Sequence, residues 1–566
     1  MKFSEYAYER PNIDEAKHKF KTLLLNFQAA TSFEEQSTII AQFDDLREEI
    51  DAMQNICFIR HTIDTTDKFY EGEIDFFNSR YPELSEYLTS YYQALISSKY
   101  RPELEKVWGL QLFRIAELYV KTFEPPILND LVEENRLDTE YSKIKAQAVV
   151  KFEGKDYNLS TIEPFELSKD RDTRRKAAEA KWKFFEANST EVENIYAQLV
   201  GRRQSIAEKL GYKNYIPLGY ARMRRSDYNA EQIAAFRQEI VAEVVPLVQE
   251  LIQRQTKRLG LDKMKYYDEP FRFPSGNARP QGDAAFMEAQ AKRMYQELSK
   301  ETAAFFNFMT ERELMDLVAK NGKETGGYCT FIGGKYRSPF IFSNFNGTSH
   351  DVTVLTHEAG HAFQCYETSH HTELYDYLWP TYEACEIHSM AMEFLTHPWM
   401  DLFFGKDTQK FFFEHLGGAI RFLPYGCAVD EFQHIVYENP HFTNAQRNAA
   451  WREVERKYMP HRDYEGNQFL EQGGFWQKQS HIFGSPFYYI DYVLAQICAF
   501  QFWQRCQTDR ASAWADYLKL CQMGGTHNFT ELVKLSNLKS PFEKGCVKEV
   551  VSQVADFLRN IDDSNF

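Results

Sequence analysis

Apolar residues recur at helical spacing along most of the chain. Over Asn12–Met53, Phe20, Leu23, Leu24 and Phe27 fall three and four positions apart, with charged residues between them. The same texture runs through Asp67–Phe123, punctuated by Pro82 and Pro102. It ends at Pro125-Pro126, because proline breaks a helix and restrains the residue before it. A charged helix is predicted over Arg171–Leu210. Two stretches depart from the pattern. Within Ala146–Leu159, Val149, Val150 and Phe152 face Tyr157 and Leu159 across Glu153-Gly154-Lys155-Asp156, which predicts a short β-hairpin. Within Gly326–Gly347, Tyr328, Cys329, Phe331 and Ile332 precede a Gly333-Gly334 turn and the run Pro339–Phe345. Such aromatic and β-branched density bounded by glycine predicts strands. Helical texture then resumes to the end. The expectation is a mainly α protein with a large multi-helix body and a small β-sheet. There is no fixed-period repeat and no low-complexity linker, so domain limits are weakly marked. The division expected is an N-terminal helical region, 1–200, with its hairpin near 146–160, followed by a region at 201–566.

Composition narrows the classes. The 566 residues include 46 Phe, 33 Tyr and 8 Trp, an aromatic content that disordered chains lack. The formal net charge is −16 with no basic block, which argues against nucleic acid, since phosphate contacts need clustered Lys and Arg. Nine cysteines, an odd number without a CxxC pair, point to reduced thiols rather than a disulfide framework. Met1–Asn12 has no basic region followed by an apolar run, so no secretory leader is expected. The most apolar late stretch, Tyr488–Trp503, is interrupted by Asp491, Gln496 and Gln501 and is too short to span a bilayer. A cytoplasmic protein without membrane or nucleic-acid partners is expected.

The chemistry concentrates in Val352–Tyr366, which contains His357-Glu358-Ala359-Gly360-His361. On a helix, positions i and i+4 share a face, so both imidazoles can reach one zinc ion. Glu358 stands beside them to take a proton from water. Composition alone predicts fewer than ~0.06 such HExxH matches by chance. Gly360 removes a side chain next to the metal and allows another backbone to approach. A catalytic zinc needs a third protein ligand, for which Glu367, Glu373, Asp376, Glu383, Glu386, His388 and Glu393 are the candidates. Several lie in a second predicted helix, Trp379–Glu393, with Pro380 near its start and Pro398 beyond its end. Spacing alone does not choose among them.

Phe345-Asn346-Gly347-Thr348, Asp351-Val352, the HExxH segment and Glu386-Ile387-His388-Ser389 resemble the thimet oligopeptidase / oligoendopeptidase F family of zinc metallopeptidases. Its oligoendopeptidase F or Pz-peptidase members are the nearest variety. The resemblance runs over roughly residues 145–500, and reaches His481 and Tyr488-Tyr489-Ile490-Asp491-Tyr492. It implies a helical body around a deep substrate channel, with the sheet beside the HExxH helix. It also implies one Zn²⁺ held by His357, His361 and Glu386, and cleavage of short unstructured oligopeptides. By the same resemblance, His481 with Tyr489 and Tyr492 stabilises the oxyanion of the tetrahedral intermediate. Gly347 and Tyr488 are candidate substrate contacts. The strand Pro339–Phe345 reads either as an exposed edge on which a peptide adds as an extra strand or as part of an ordinary core hairpin. Two other readings stay open: a zinc exopeptidase, and a non-catalytic helical peptide-binding scaffold.

Overall fold

The computed structural model describes residues 1–564 and 566. Helix accounts for 69% of it and strand for 4%, as the apolar spacing predicts. The early helices begin where polar caps permit: Asn12, Ser32 and Asp67 each accept a backbone N–H of the first turn. Helices within Ile13–Tyr119 close around a core of their own, which includes Phe20, Phe27, Phe43, Tyr91, Leu95 and Phe113. Leu374 and Tyr377 from the second half of the chain complete that core. Nearby, Asp376 takes a bidentate ion pair from Arg47 at 3.0 Å and a hydrogen bond from the Tyr92 hydroxyl at 2.8 Å. The N-terminal helices are thereby fastened to the segment that follows the HExxH helix. The expected boundary at residue 200 lies inside the continuous helix Arg171–Lys209.

The hairpin is present and tight. Strands β1 (Val150–Phe152) and β2 (Lys155–Tyr157) pair antiparallel, with Phe152 opposite Lys155. Glu153 and Gly154 both have positive φ, as a two-residue turn matched to strand twist requires. The second sheet contains β3 (Met315–Val318), β4 (Tyr328–Ile332) and β5 (Ser338–Phe345), in the order β3-β5-β4. β5 runs parallel to β3 and antiparallel to β4. Residues Pro339–Phe345 therefore form the central strand, which corrects the reading of an exposed edge there. Its inner position also explains its composition, because a strand covered on both faces reads as continuous apolar sequence.

β5 leads directly into the motif helix, Ser349–His371. At the junction Gly347 adopts φ +85°, a conformation that side chains rarely tolerate. The buried Asp351 carboxylate folds back over the turn and accepts the N–H groups of Asn346 (3.0 Å) and Gly347 (2.7 Å). Burial raises the Asp351 carboxyl to about 6, although those two donors pull it down. Strand and helix are thus locked together at the point where the chemistry begins.

Candidate active site

Three helices meet at the site. The motif helix supplies His357, Glu358 and His361. The glutamate helix, Tyr382–Leu395, is buried at every position from Glu383 to Leu395. Gly360 sits where the two cross: a Cβ there would stand 2.6 Å from the His388 carbonyl oxygen and 2.6 Å from Ser389 Cα. Glycine at that position therefore allows the close backbone approach that the sequence suggests. The third helix, Tyr489–Cys506, starts just after Phe487, whose φ of +69° is unusual for a bulky residue. The Phe487 N–H donates to Gln433 and its carbonyl accepts from the buried Arg225, so surrounding structure holds the strained turn.

The candidate third ligands separate by environment. Glu386 Oε2 lies 3.3 Å from His357 Nε2 and 3.3 Å from His361 Nε2. Among the described residues, these three form the one group of His, Cys, Asp and Glu whose ligand atoms lie within 4.8 Å of one another. The other acids and His388 are engaged elsewhere. Glu383 accepts from the Tyr228 hydroxyl, Glu367 accepts from Gln522, and Asp376 is paired with Arg47. Glu373 is exposed, and His388 Nδ1 donates to the Ala384 carbonyl of its own helix. Glu393 stands behind the site: His357 Nδ1 donates to its Oε1 at 2.7 Å. His415 Nε2 reaches its other oxygen at 2.7 Å, and His397 Nε2 lies 2.9 Å from His415 Nδ1. A metal-binding histidine ordinarily gives its second N–H to such a carboxylate. The sequence offered Glu393 only as a ligand candidate, and its partners on later helices could not be foreseen from spacing.

The charges suit a cation. Burial alone would raise the Glu386 carboxyl, yet the imidazoles of His361 and His357 hold it well below the usual range. Ser389 Oγ donates to Glu386 Oε2 at 2.8 Å, and the Tyr488 hydroxyl donates to Oε1. Glu358 is buried and its Oε2 has no hydrogen-bond partner among the described residues. Burial raises its carboxyl, and the two imidazoles oppose that. An anionic ligand beside two imidazoles, with an unpartnered carboxylate next to them, fits a divalent ion of the kind bound by N and O donors.

His481 lies across from this group. Its Nε2 is 3.1 Å from the Tyr492 hydroxyl, and the Tyr492 ring centroid is 6.5 Å from that of His357. Burial lowers His481 to about 4, so the ring is neutral near pH 7. Burial also keeps the Tyr488 and Tyr492 phenols well above their ordinary value, and both remain donors. Tyr489 packs edge-on against His481 (5.0 Å) and Tyr425 (5.7 Å), behind the imidazole. Gly347 closes the β5 turn with its N–H given to Asp351. The sheet edge nearest the site belongs to β4. Exposed Gly327, just before β4, would bring a Cβ within 3.2 Å of Glu358 Oε1. Asn55 covers the other end of β4 by donating to the Phe331 carbonyl. A separate cavity of about 520 Å³ lies near the far end of the motif helix, lined in part by Trp108, His371 and His527.

A recessed pair of histidines and a carboxylate on adjoining helices, with a second carboxylate at hand, is the design of a metallopeptidase. Comparison with known proteins gives the same class. Peptidase family M3 matches residues 165–552, and the Peptidase M3 N-terminal domain matches residues 3–123. Pz peptidase A, solved with an inhibitor, is 54% identical with a TM-score of 0.99, and 100% of each chain is covered. A Bacillus anthracis protein provisionally named oligoendopeptidase F is 50% identical with a TM-score of 0.94. The match covers 100% of this chain and 99% of that one. An oligoendopeptidase F from Enterococcus faecium shares the fold at 13% identity, with a TM-score of 0.63, over 96% of this chain and 98% of that one. A comparison with curated proteins gives no significant match. The chain belongs to peptidase family M3 and resembles the oligoendopeptidase F members of it. No helix among the described residues is long and apolar enough to cross a membrane.

Proposed function

We propose that this peptidase is a zinc-dependent endopeptidase that cleaves short, unstructured oligopeptides in the cytoplasm. The observation that carries the reading is the convergence of His357, His361 and Glu386 beside the unpartnered carboxylate of Glu358. His357, His361 and Glu386 would hold one Zn²⁺. When bound, zinc supplies a Lewis acid that polarises the scissile carbonyl and makes water a stronger acid. Glu358 takes a proton from the attacking water and passes it to the leaving amine. His481 and Tyr492 donate hydrogen bonds to the oxyanion, and Tyr489 joins them from its place against His481. Tyr488 steadies Glu386 and borders the substrate. The peptide lies extended along the Gly326–Tyr328 end of β4, with Gly347 at the neighbouring turn. Backbone pairing of that kind is indifferent to substrate sequence.

The experiment is a length series of internally quenched peptides with blocked ends, assayed with and without a chelator, on the wild type and Glu358→Gln. The expected result is internal cleavage that chelation abolishes. Glu358→Gln should retain its fold and bound zinc while kcat falls by roughly 10²–10⁴. Turnover that survives chelation would end the metal reading. Near-wild-type turnover in Glu358→Gln would remove Glu358 from the role of base.

A further inference from the structure

His481 can donate to an oxyanion only from a protonated nitrogen that faces the site. A neutral imidazole carries a single proton, and the hydrogen bond made by the other nitrogen decides where it sits. Nε2 faces Tyr492 and the site, and Nδ1 faces the side-chain amide of Gln479. The Gln479 amide nitrogen lies 2.9 Å from Nδ1. Its oxygen accepts from the Tyr425 hydroxyl at 2.7 Å. The same amide faces the Tyr489 phenol and lowers it against the larger effect of burial. Burial keeps Tyr425 protonated, so it has a proton to give to the Gln479 oxygen it faces. An amide whose oxygen is occupied by Tyr425 presents its N–H to Nδ1. Nδ1 is then the acceptor, and the proton belongs on Nε2.

The backbone carrying Gln479 is held as firmly as the side chain. Lys145 Nζ donates to the Lys478 carbonyl (3.1 Å) and Ser480 Oγ (2.6 Å), and Tyr141 donates to the Gln477 carbonyl (2.9 Å). Tyr425 comes from a different element, the long helix Thr408–Glu438. One part of the fold holds the backbone at Gln479, and a separate one, through Tyr425, orients its amide.

We propose that Gln479, oriented by Tyr425, is a positioning residue that fixes the Nε2–H tautomer of His481 and so makes it a permanent donor to the reaction's oxyanion. The proposal rests on the reading of His481 as that donor. The charged and titratable groups facing His481 are Tyr488, just before the following helix, and Tyr489 and Tyr492 within it, with Glu386 and Lys145 across the site. With a neutral amide on Nδ1, the donor needs no added proton.

The test compares Gln479→Glu, Gln479→Leu, Tyr425→Phe and His481→Ala with the wild type, as zinc-loaded full-length protein, by kcat and KM across pH. A carboxylate at position 479 accepts from Nδ1–H. It leaves Nε2 a donor only while the ring is a cation. The ratio of Gln479→Glu to wild-type kcat should therefore stay within a few-fold near pH 6. It should fall as pH rises, toward the His481→Ala ratio, a loss of roughly 10²–10³. Gln479→Leu should lose kcat without a new pH limb. Tyr425→Phe should lose several-fold in kcat with KM and zinc content unchanged, and it carries the test if Gln479→Glu does not fold. A flat Gln479→Glu ratio across pH, with His481→Ala impaired, overturns the tautomer assignment and leaves the donor role standing. Full activity in His481→Ala overturns the donor role itself. An unimpaired Tyr425→Phe overturns the orienting role of the phenol.

Discussion

Gly360→Ala decides whether the site depends on how closely its two ligand helices cross. In an ordinary helix interior, replacing glycine with alanine stabilises by about 1 kcal/mol. Here the new methyl would sit 2.6 Å from the His388 carbonyl oxygen, 2.6 Å from Ser389 Cα and 3.0 Å from Met392 Cβ. Two of these are backbone atoms that no side-chain rotation can move. Comfortable contact needs roughly 3.4 Å, so the helices must separate by about 0.8 Å, with overpacking costs of about 1–3 kcal/mol. The net expectation is a destabilisation of about 0–2 kcal/mol. Function should suffer more. Gly360 adjoins His361, and Ser389 hydrogen-bonds to Glu386, so the separation falls between two of the proposed ligands. Metal–ligand distances tolerate only about ±0.2 Å. Zinc affinity should drop at least tenfold in competition with a chromophoric chelator, while urea unfolding of the chelated protein keeps its slope. A variant that is about 1 kcal/mol more stable and binds zinc as tightly as the wild type would refute the close-crossing argument.

Three further outcomes are expected beside that of Glu358→Gln. Glu393→Gln removes the anionic acceptor of the His357 Nδ1 proton, and zinc affinity should fall 10- to 100-fold by the same competition assay. Unchanged affinity would leave Glu393 a bystander. Arg225→Met strips the cation from the buried carboxylates of Asp491 and Glu383. Unfolding should become easier by about 3–5 kcal/mol, and a loss under about 1 kcal/mol would count against the network. Burial holds His434 near 4, below its ordinary 6.5, with its Nε2 3.1 Å from the Tyr220 hydroxyl. The unfolded chain thus binds the extra proton first, and stability present above pH 6.5 is lost as pH falls toward 4. That loss is on the order of 3 kcal/mol. His434→Gln should flatten this part of the stability curve of the chelated protein, and parallel curves would contradict the assignment.

The fold class and the heart of the site were legible because both depend on short-range periodicity. His357 and His361 share a helical face by spacing alone, and Gly360 marked the close crossing. The Glu153-Gly154 turn marked the hairpin. β3 was missed: Leu314-Met315-Asp316-Leu317-Val318 is a short apolar run with one charge that also suits the end of a buried helix, and only pairing with β5 makes it a strand. The place of β5 at the centre of the sheet was available in principle. Pro339–Phe342 does not alternate with polar residues, as an edge strand with one wet face should. That Glu386, and not Glu383 or Glu393, lies beside both imidazole Nε2 atoms depends on neighbours remote in sequence. Tyr228 and Arg225 occupy Glu383, and His415 stands with Glu393. The Tyr425–Gln479–His481 chain joins two elements more than fifty residues apart, and no local rule connects them.

The glutamate helix has a consequence for how this sequence tolerates change. From Glu383 to Leu395, thirteen consecutive residues are buried, so that stretch has no solvent-facing side on which substitutions can drift. Amphipathic helices accept mutations in a rhythm of three or four. Saturation mutagenesis here should instead return an unbroken block of intolerance, its polar members as immovable as its apolar ones. Isolated descendants of this protein should carry that segment nearly unaltered while the helices around it diverge.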